Sequence, residues 1–435
     1  MSKVVNMLDL DYAFRFLMMA QEWTKKKTAI KWLSRGAKAS LLPEYGKCTQ
    51  PWSRMRLAQV ASGIKDVVDL TFGTSREFDR PAPHVLEAVY KAIADGAFDY
   101  PRSSTISELK QAIAERYAKR YGVEADPRSE VCITVGAAQG IDLTLRILVN
   151  PGDQALMMDP DYGPYEPHVR TYQARVVPVP LMEQKPGKWR FDITELGKRV
   201  SKKTKLLMMS NANNPTGILY SKEDNEAIAE LAQKYDFFVL ADHVSEEIIF
   251  DGAKLHNIAS VPGMKERTIV VSSFSKAHNL SGFRTGYAVA NRDIVEHMSS
   301  MIGEVTDGYV TPGLWAALAA LKGPQDWIRE HVESLQKRRD MMVDRLNRMP
   351  GVVCGKPKGI YWAFPNIKGV GMPSHDLAEY LLTEGKVNMR PGMWYGRNGE
   401  GHLRVSFCAN PEWIRKGMDR MEEAINKLKR LPLQS

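Results

Sequence analysis

Residues 268–276 read Thr-Ile-Val-Val-Ser-Ser-Phe-Ser-Lys, a short apolar run that ends in serines and a lysine. Runs of this length and composition are typical of strands buried on both faces of a parallel sheet. Phe237 to Ala241 is a second run of this kind, and Asp242 follows it. Polar residues after such strands lie at the carboxyl edge of the sheet, where ligands bind in open α/β folds. The sequence therefore predicts that a ligand binds at this edge of the sheet, where polar residues follow the strands.

Helix-forming segments alternate with these runs along the middle of the chain. The alternation predicts an α/β fold whose large domain has a mostly parallel central sheet covered by helices. Thr105-Ile106-Ser107-Glu108 has the spacing of a capping box, so we expect a helix to begin there. The predicted strands cover residues 131–135, 154–158, 205–210, 237–241 and 268–272, and the predicted helices include residues 84–94, 138–149 and 222–234.

Three segments divide the 435 residues. Residues 1–65 are rich in predicted helix and form an N-terminal arm. Residues 66–324 form the large domain, which carries the predicted ligand site. Residues 325–435 form a smaller C-terminal α/β domain, to which the N-terminal region contributes. This smaller domain has a long helix, strands near Val352 and Tyr361, another strand at 402–407 and a final helix.

Composition and charge exclude several classes of protein. The chain is 44% hydrophobic and 26% charged, which is ordinary for a globular protein. It has no apolar run of about 18 residues, so we expect no membrane partner. The net charge is +9, but the basic residues are spread along the chain, so we expect no nucleic-acid partner. The four cysteines form no Cys-x-x-Cys pair, which favours a reducing, cytoplasmic setting, and no metal site is predicted.

Further motifs follow or flank the predicted strands: Gly136-Ala137-Ala138-Gln139-Gly140, Asn214-Pro215-Thr216-Gly217 and Gly282-Phe283-Arg284-Thr285-Gly286-Tyr287. Each alone has an ordinary structural explanation, because a small-residue turn usually just begins a helix. Together with Asp242 and Ser273-Phe274-Ser275-Lys276, and in this order, they resemble the motifs of fold-type-I pyridoxal-phosphate (PLP) enzymes. The resemblance is to the aspartate-aminotransferase-like superfamily, the class I/II aminotransferases, over roughly residues 67–430.

The resemblance implies how the cofactor is held. Lys276 matches the lysine that binds the PLP aldehyde as a Schiff base and later shuttles protons. Asp242 matches the buried carboxylate that keeps the pyridine nitrogen protonated, and Asn214 matches the amide at the 3-oxygen of the ring. Tyr162 matches the ring that stacks on the pyridine. At the phosphate, the resemblance implies the backbone amides of Ala137 and Ala138 and the side chains of Ser273 and Arg284.

The resemblance also implies the substrate side of the site. Arg404 matches the arginine that binds the substrate α-carboxylate in bidentate geometry. Asn214 and Gly73 are implied to lie beside the substrate, Gly73 in a loop whose backbone approaches it. Tyr100 matches a tyrosine that reaches the phosphate across a dimer interface. We therefore expect amino acid and 2-oxo acid substrates and a homodimer with shared active sites.

Two positions depart from the usual pattern of the family. The family usually has Asp-x-x-Tyr, whose tyrosine donates to the 3-oxygen, whereas Asp242-His243-Val244-Ser245 places a serine there. Because a serine is too short to take the same position, we expect a raised pKa of the Schiff base. His243 is interpreted as a structural neighbour of the site. Thr105 stands where the family often has glycine, in the loop beside the phosphate.

Three functions are compatible with these residues. The leading one is ping-pong transfer of an amino group from an amino acid to a 2-oxo acid. The alternative is a PLP-dependent lyase or decarboxylase on the same scaffold, which the missing tyrosine favours. The third is a non-catalytic relative that binds PLP or a regulatory ligand, against which the intact Lys276 argues. An aminotransferase needs a 2-oxo acid acceptor, whereas a lyase releases product without one.

Overall fold

The computed structural model describes residues 57–58, 60–72 and 80–430 of the chain. The helices expected in the first 56 residues, together with Cys48 and Gly73, lie outside these residues. The strands are β1 Val68–Asp69, β2 Val131–Thr134, β3 Gln154–Asp159, β4 Arg175–Pro180, β5 Met182–Lys185, β6 Lys188–Arg190, β7 Thr204–Ser210, β8 Phe238–Asp242, β9 Thr268–Ser273, β10 Gly286–Val289, β11 Trp362–Ala363, β12 Val387–Asn388, β13 Arg390–Pro391 and β14 Leu403–Ser406.

Helices lie between most of these strands, as the alternation in the sequence predicts. None of the described helices is both long enough and apolar enough to cross a membrane. The α-helices are α1 Pro83–Ala94, α2 Ser103–Tyr121, α3 Gly136–Leu148, α4 Tyr165–Thr171, α5 Ile193–Gly197, α6 Lys222–Tyr235, α7 Arg292–Val305, α8 Thr311–Lys322, α9 Asp326–Arg348, α10 Ser374–Thr383 and α11 Pro411–Arg430.

The central sheet has seven strands in the order β2-β10-β9-β8-β7-β3-β4. Strands β4, β3, β7, β8 and β9 run parallel to one another, and β10 is antiparallel to both β9 and β2. The sheet is therefore mostly parallel, as the sequence predicts. Because β7, β8 and β9 are neighbours that run in one direction, their carboxyl ends meet at one edge. Ser210, Asp242 and Ser273 are the last residues of these three strands.

Both faces of this sheet are covered, which explains why its central strands are apolar at nearly every position. Helices α1, α2, α6 and α8 pack on one face, and α3, α4 and α7 pack on the other. Every residue of β9 is buried. A strand buried on both faces has no solvent-facing alternation, so the run at 268–273 is the pattern expected for this position.

The C-terminal part of the chain forms a second, smaller core. It contains the antiparallel sheet β11-β14-β13 and the helices α9, α10 and α11. Strand β1 pairs in parallel with β12, so Val68 and Leu70 pack into this core rather than into that of the large sheet. The strand expected near Val352 is reduced to isolated bridges from Asn366 to Val353 and His402.

One predicted helix start is wrong and another is right. Helix α2 begins at Ser103, after an extended Arg102, and no side chain caps it. Thr105 is buried within the first turn of α2. Its side chain packs against the protein and does not cap the helix. At helix α6, by contrast, the side chains of Ser221 and Asp224 each accept a hydrogen bond from the other's backbone N–H, at 3.1 and 2.8 Å. This arrangement is a complete capping box.

Candidate active site

A cleft of about 380 Å³ lies between the carboxyl edge of the large sheet and the smaller core. The ends of β7, β8 and β9 and the start of α3 form one wall, and residues of β11, β13 and β14 form the other. The residues expected at the site that line this cleft are Ala137, Ala138, Tyr162, Asn214, Asp242, Ser245, Ser273, Lys276, Arg284 and Arg404. Residues from positions 137 to 404 therefore converge on one cavity.

Lys276 extends into the cleft from the loop after β9. Burial lowers the pKa of its amine, and the charges of Arg404 and Arg284 lower it further. Asp242 and Cys408 act in the opposite direction without reversing the shift. A lowered pKa increases the fraction of neutral amine, which is the nucleophilic form that an aldehyde requires.

Asp242 ends β8 at the floor of the cleft. Its carboxylate accepts a hydrogen bond from the Tyr165 hydroxyl at 2.7 Å and another from the Val244 backbone N–H at 3.0 Å. Burial raises the pKa of this carboxyl group, whereas those two donors and the charge of Lys276 oppose the rise. A cation placed against Asp242 would offset the cost of burying its charge.

The start of α3 has the chemistry of a phosphate site. Gly136 has a φ of +71°, and no side chain caps the helix, so the first amides point into the cleft without helical partners. Arg284 lies directly over this turn, and its Nη1 donates to the Ser281 carbonyl at 2.9 Å. A Cβ on Gly286 would lie 2.6 Å from the Gly136 carbonyl carbon, so glycine is required at both positions.

Arg404 and Asn214 meet on the opposite wall. Arg404 Nη1 donates to Asn214 Oδ1, and Nη2 donates to the Thr71 carbonyl, both at 3.2 Å. The guanidinium carbon lies 3.9 Å from the centroid of the Trp362 ring and 4.8 Å from that of Tyr395. Its Nε is buried and has no partner among the described residues. Burial lowers the pKa of Arg404 to about 10, so the side chain is still a cation at neutral pH.

The other expected residues have different positions. Tyr162 is half-buried on the cleft wall, with its ring edge-on to Tyr165 at 5.2 Å. Tyr100 lies outside the cleft and is 71% exposed, and its hydroxyl donates to Asp307 Oδ2 at 3.1 Å. His243 is buried, lies edge-on to the Tyr121 ring and does not line the cleft.

Several residues in or beside the cleft were not recognised from the sequence, and four of them contribute to its chemistry. Tyr165 supports Asp242, and Trp362 stacks on Arg404. Tyr361 and Arg390 also line the cleft. Tyr165 does follow Tyr162 in a short aromatic motif, but the other three lie in or next to weak strands whose faces a single sequence does not define.

The polar groups of the cleft match a pyridine ring that carries a phosphate and an aldehyde. Asp242 is a buried carboxylate beside a cavity, Lys276 has a lowered pKa, and the start of α3 supplies anion-binding amides next to Arg284. Buried atoms without partners among the described residues include Arg404 Nε and the Tyr361 hydroxyl oxygen. The fold and the cleft together define a fold-type-I PLP enzyme.

Comparisons with known proteins name the family. The family described as aminotransferase class I and II matches residues 65–421, and this chain belongs to it. The chain is 36% identical over 376 residues to an aspartate aminotransferase of Pyrococcus abyssi and 35% identical over 376 residues to aromatic-amino-acid aminotransferase 2 of Thermococcus litoralis. Each alignment covers 86% of this chain and 95% of the relative.

A solved structure of similar fold is that of the aspartate aminotransferase from Thermus thermophilus with maleate. Its TM-score is 0.80 at 29% identity, and the match covers 90% of this chain and 99% of that one. The protein is accordingly a PLP-dependent aminotransferase, which moves an amino group from an amino acid to a 2-oxo acid by a ping-pong route. This result confirms the leading function over the lyase and decarboxylase alternative.

Proposed function

We propose that this aminotransferase acts on an acidic amino acid, with the cofactor and substrate held by the residues that converge on the cleft. When bound, PLP supplies an electron-accepting ring conjugated to the substrate. Lys276 holds the cofactor covalently at rest and then moves the proton at the substrate Cα. Asp242, positioned by Tyr165, keeps a proton on the pyridine nitrogen. Tyr162 covers one face of the ring.

Two further groups of residues orient the ligands. The amides of Ala137 and Ala138, with the Ser273 hydroxyl and the Arg284 guanidinium, bind the phosphate. Arg404 binds the substrate α-carboxylate, and Asn214 holds Arg404 in place while its amide faces the cofactor. The observations that support these roles are the shared cleft and the 3.2 Å contact from Arg404 to Asn214.

The charge of the cleft supports an acidic substrate. Its lining includes four basic side chains, those of Lys276, Arg284, Arg390 and Arg404, and one carboxylate, that of Asp242. Arg284 binds the phosphate, Arg404 binds the substrate α-carboxylate, and Lys276 binds the cofactor aldehyde. Arg390 then remains as a cation on the substrate wall.

The position of Arg390 suits the side chain of a substrate. Arg390 is paired directly with Arg404 across β13 and β14, so the two side chains lie on the same face of this sheet. Arg390 is half-buried, and no described acidic residue forms an ion pair with it. A second carboxylate on the substrate would meet it there. In agreement, the similar Thermus enzyme was solved with maleate, which is a dicarboxylate.

The test compares acidic with aromatic amino acids. We expect kcat/KM for aspartate or glutamate to exceed that for phenylalanine, and Arg390→Met to lower it about 10- to 100-fold, as for a lost charge-assisted contact. Phenylalanine should be affected little. Arg190→Met, which removes an exposed arginine of β6, is the control. Equal losses for both substrates, or a preference for phenylalanine in the unmodified enzyme, would contradict the acidic substrate.

We further propose a homodimer with shared active sites. Tyr100 is too exposed to act in its own cleft, and exposed apolar residues lie beside it. Phe98 and Val310 line the same surface pocket as Tyr100, and Tyr90, Ile93 and Val305 are further exposed apolar side chains. An apolar surface of this kind supports an interface with a second copy. Mixing the inactive variants Lys276→Ala and Tyr100→Ala should restore activity, because each hybrid dimer then has one intact site. If verified hybrid dimers recover no activity, Tyr100 does not act in the active site of the second subunit.

The cytoplasm is the proposed location. Among the described residues Cys132, Cys354 and Cys408 are buried and form no disulfide bond with one another, which supports a reducing environment. Fractionation of the producing cells, followed by immunoblotting, is the direct measurement.

A further inference from the structure

The serine at position 245 leaves a space beside the predicted position of the cofactor ring. Ser245 lines the cleft three residues after Asp242 and is buried. Its side chain ends one bond beyond Cβ, so it does not reach as far as the tyrosine that usually stands there. A donor to the 3-oxygen of the ring must therefore come from another part of the chain or from water.

Tyr361 lies across the cleft from this space. It directly precedes β11, and its ring centroid is 4.2 Å from that of Trp362, the ring on which Arg404 stacks. The amine of Lys276 lies 5.7 Å from the centroid of the Tyr361 ring. The Ser245 side chain is near enough to lower the pKa of the Tyr361 phenol, although the two do not form a well-formed hydrogen bond. The phenol is therefore beside both the Schiff-base lysine and the position of the missing tyrosine.

The hydroxyl of Tyr361 is available as a donor. Tyr361 is 1% exposed, and its hydroxyl oxygen is buried without a well-formed hydrogen bond to any described residue. Burial is the main reason that the pKa of Tyr361 lies well above its ordinary value, so the phenol keeps its proton at neutral pH. A buried hydroxyl without a partner is unfavourable, and an oxygen of a bound ligand would satisfy it.

We infer that Tyr361 donates to the 3-oxygen of the bound cofactor and so takes the place of the tyrosine that position 245 lacks. The two substitutions are then complementary, because a long side chain from one wall fills the space that a short side chain leaves on the other. This inference rests on the proposed role of Lys276. It also predicts that the rise in the Schiff-base pKa expected from Ser245 is smaller, because a donor to the 3-oxygen stabilises its anion and lowers that pKa.

The inference is tested by titrating the absorbance of the holoenzyme with pH. Tyr361→Phe keeps the ring and removes only the hydroxyl, so we expect the protonated Schiff-base band to persist about one pH unit higher or more. The other groups that act on the Tyr361 phenol, namely Cys408, Arg404, Tyr162 and Ser245, are unchanged in this variant. A shift in the midpoint is therefore assigned to the lost hydroxyl.

Tyr220→Phe is the matched control, since the Tyr220 hydroxyl is also buried without a partner among the described residues but lies outside the cleft. Its midpoint should not move. An unchanged midpoint in a Tyr361→Phe protein that still binds PLP would overturn the inference. A midpoint that rises in Ser245→Ala but not in Tyr361→Phe would also overturn the inference, because Ser245 or a water bound to it would then be the donor. Failure of the proposed role of Lys276 is distinct, because the unmodified protein would then lack the Schiff-base band.

Discussion

Arg284 lies so close to the first turn of α3 that its Nη2 is 2.5 Å from the position that a Cβ on Gly136 would occupy. Gly136→Ala would therefore push Arg284 away from the predicted phosphate site, and it would also strain a backbone with a φ of +71°. We expect PLP affinity to fall about 10- to 100-fold, as for the loss of a charge-assisted hydrogen bond. The PLP affinity is measured by titrating the apoprotein with PLP and monitoring the absorbance.

Gly282→Ala is the control for this substitution. Gly282 belongs to the same loop as Arg284 and has an ordinary φ, and no atom lies within 4 Å of the position that a Cβ there would occupy. Its PLP affinity should be close to that of the unmodified protein. Equal losses in both variants would show that the loop as a whole, rather than the Gly136 contact, controls binding.

Lys276 should carry the cofactor. Its amine has a pKa lowered by burial and lies in the cleft, which favours a Schiff base with an aldehyde. Borohydride reduction followed by peptide mass mapping should place the pyridoxyl group on Lys276. Lys276→Ala should show no such label, and a label on a different lysine would contradict the assignment.

Asp242 should be needed for turnover more than for binding. Asp242→Ala removes the charge beside the pyridine nitrogen but leaves the phosphate contacts, so PLP should still bind. We expect kcat to fall at least about 100-fold, as for other preorganised electrostatic groups. Tyr165→Phe removes one donor at 2.7 Å and should have a smaller effect. Single-turnover kinetics with saturating PLP separate these effects, and near-normal rates in Asp242→Ala would rule out its role.

Arg404 should discriminate amino acids from simple amines. Loss of a bidentate contact to a carboxylate costs about 2–5 kcal/mol in transition-state binding. Arg404→Ala should therefore lower kcat/KM for every amino acid, and Arg404→Lys should be intermediate because it keeps the charge. Amines without a carboxylate should react at nearly unchanged rates. If amines and amino acids lose activity equally, Arg404 has a structural role instead.

Glu183 should link stability to pH. Its carboxylate accepts hydrogen bonds from the Asn366 amide and contacts His402 Nε2, each at 3.0 Å. Burial raises the pKa of Glu183, but these partners outweigh burial and lower it to about 2 from an ordinary value of 4.5. A lowered folded-state pKa stabilises the fold above pH 4.5, and this stabilisation is lost as the pH falls toward 2.

Glu183→Gln should therefore lower the free energy of unfolding at pH 7 by about 1–3 kcal/mol, because buried His402 loses a charged partner. Urea denaturation measures this difference. The difference from the unmodified protein should shrink as the pH falls from 5 to 3. Glu226→Gln, at an exposed pair with Lys222, should change stability little at any pH. A stability difference for Glu183→Gln that does not depend on pH would contradict the linkage.

The sequence predicted the parts of this protein that depend on local pattern. The doubly buried strands at 238–242 and 268–273 appear as apolar runs, and the motifs at their ends lie in the cleft as expected. The capping box at Ser221 is equally local, because its two partners are three residues apart. The same pattern at Thr105 failed, because burial of that threonine depends on distant elements.

The sequence by itself determined the family, the cofactor and the strand-end residues, because strand burial and turn chemistry are properties of contiguous segments. Only the tertiary structure placed Arg404 against Asn214, 190 residues away, and set Tyr361 opposite Ser245. It also placed Arg390 beside Arg404 and left Tyr100 on the surface. These relationships arise where the smaller core packs over the edge of the large sheet. No periodicity within either segment encodes which side chains meet across that boundary.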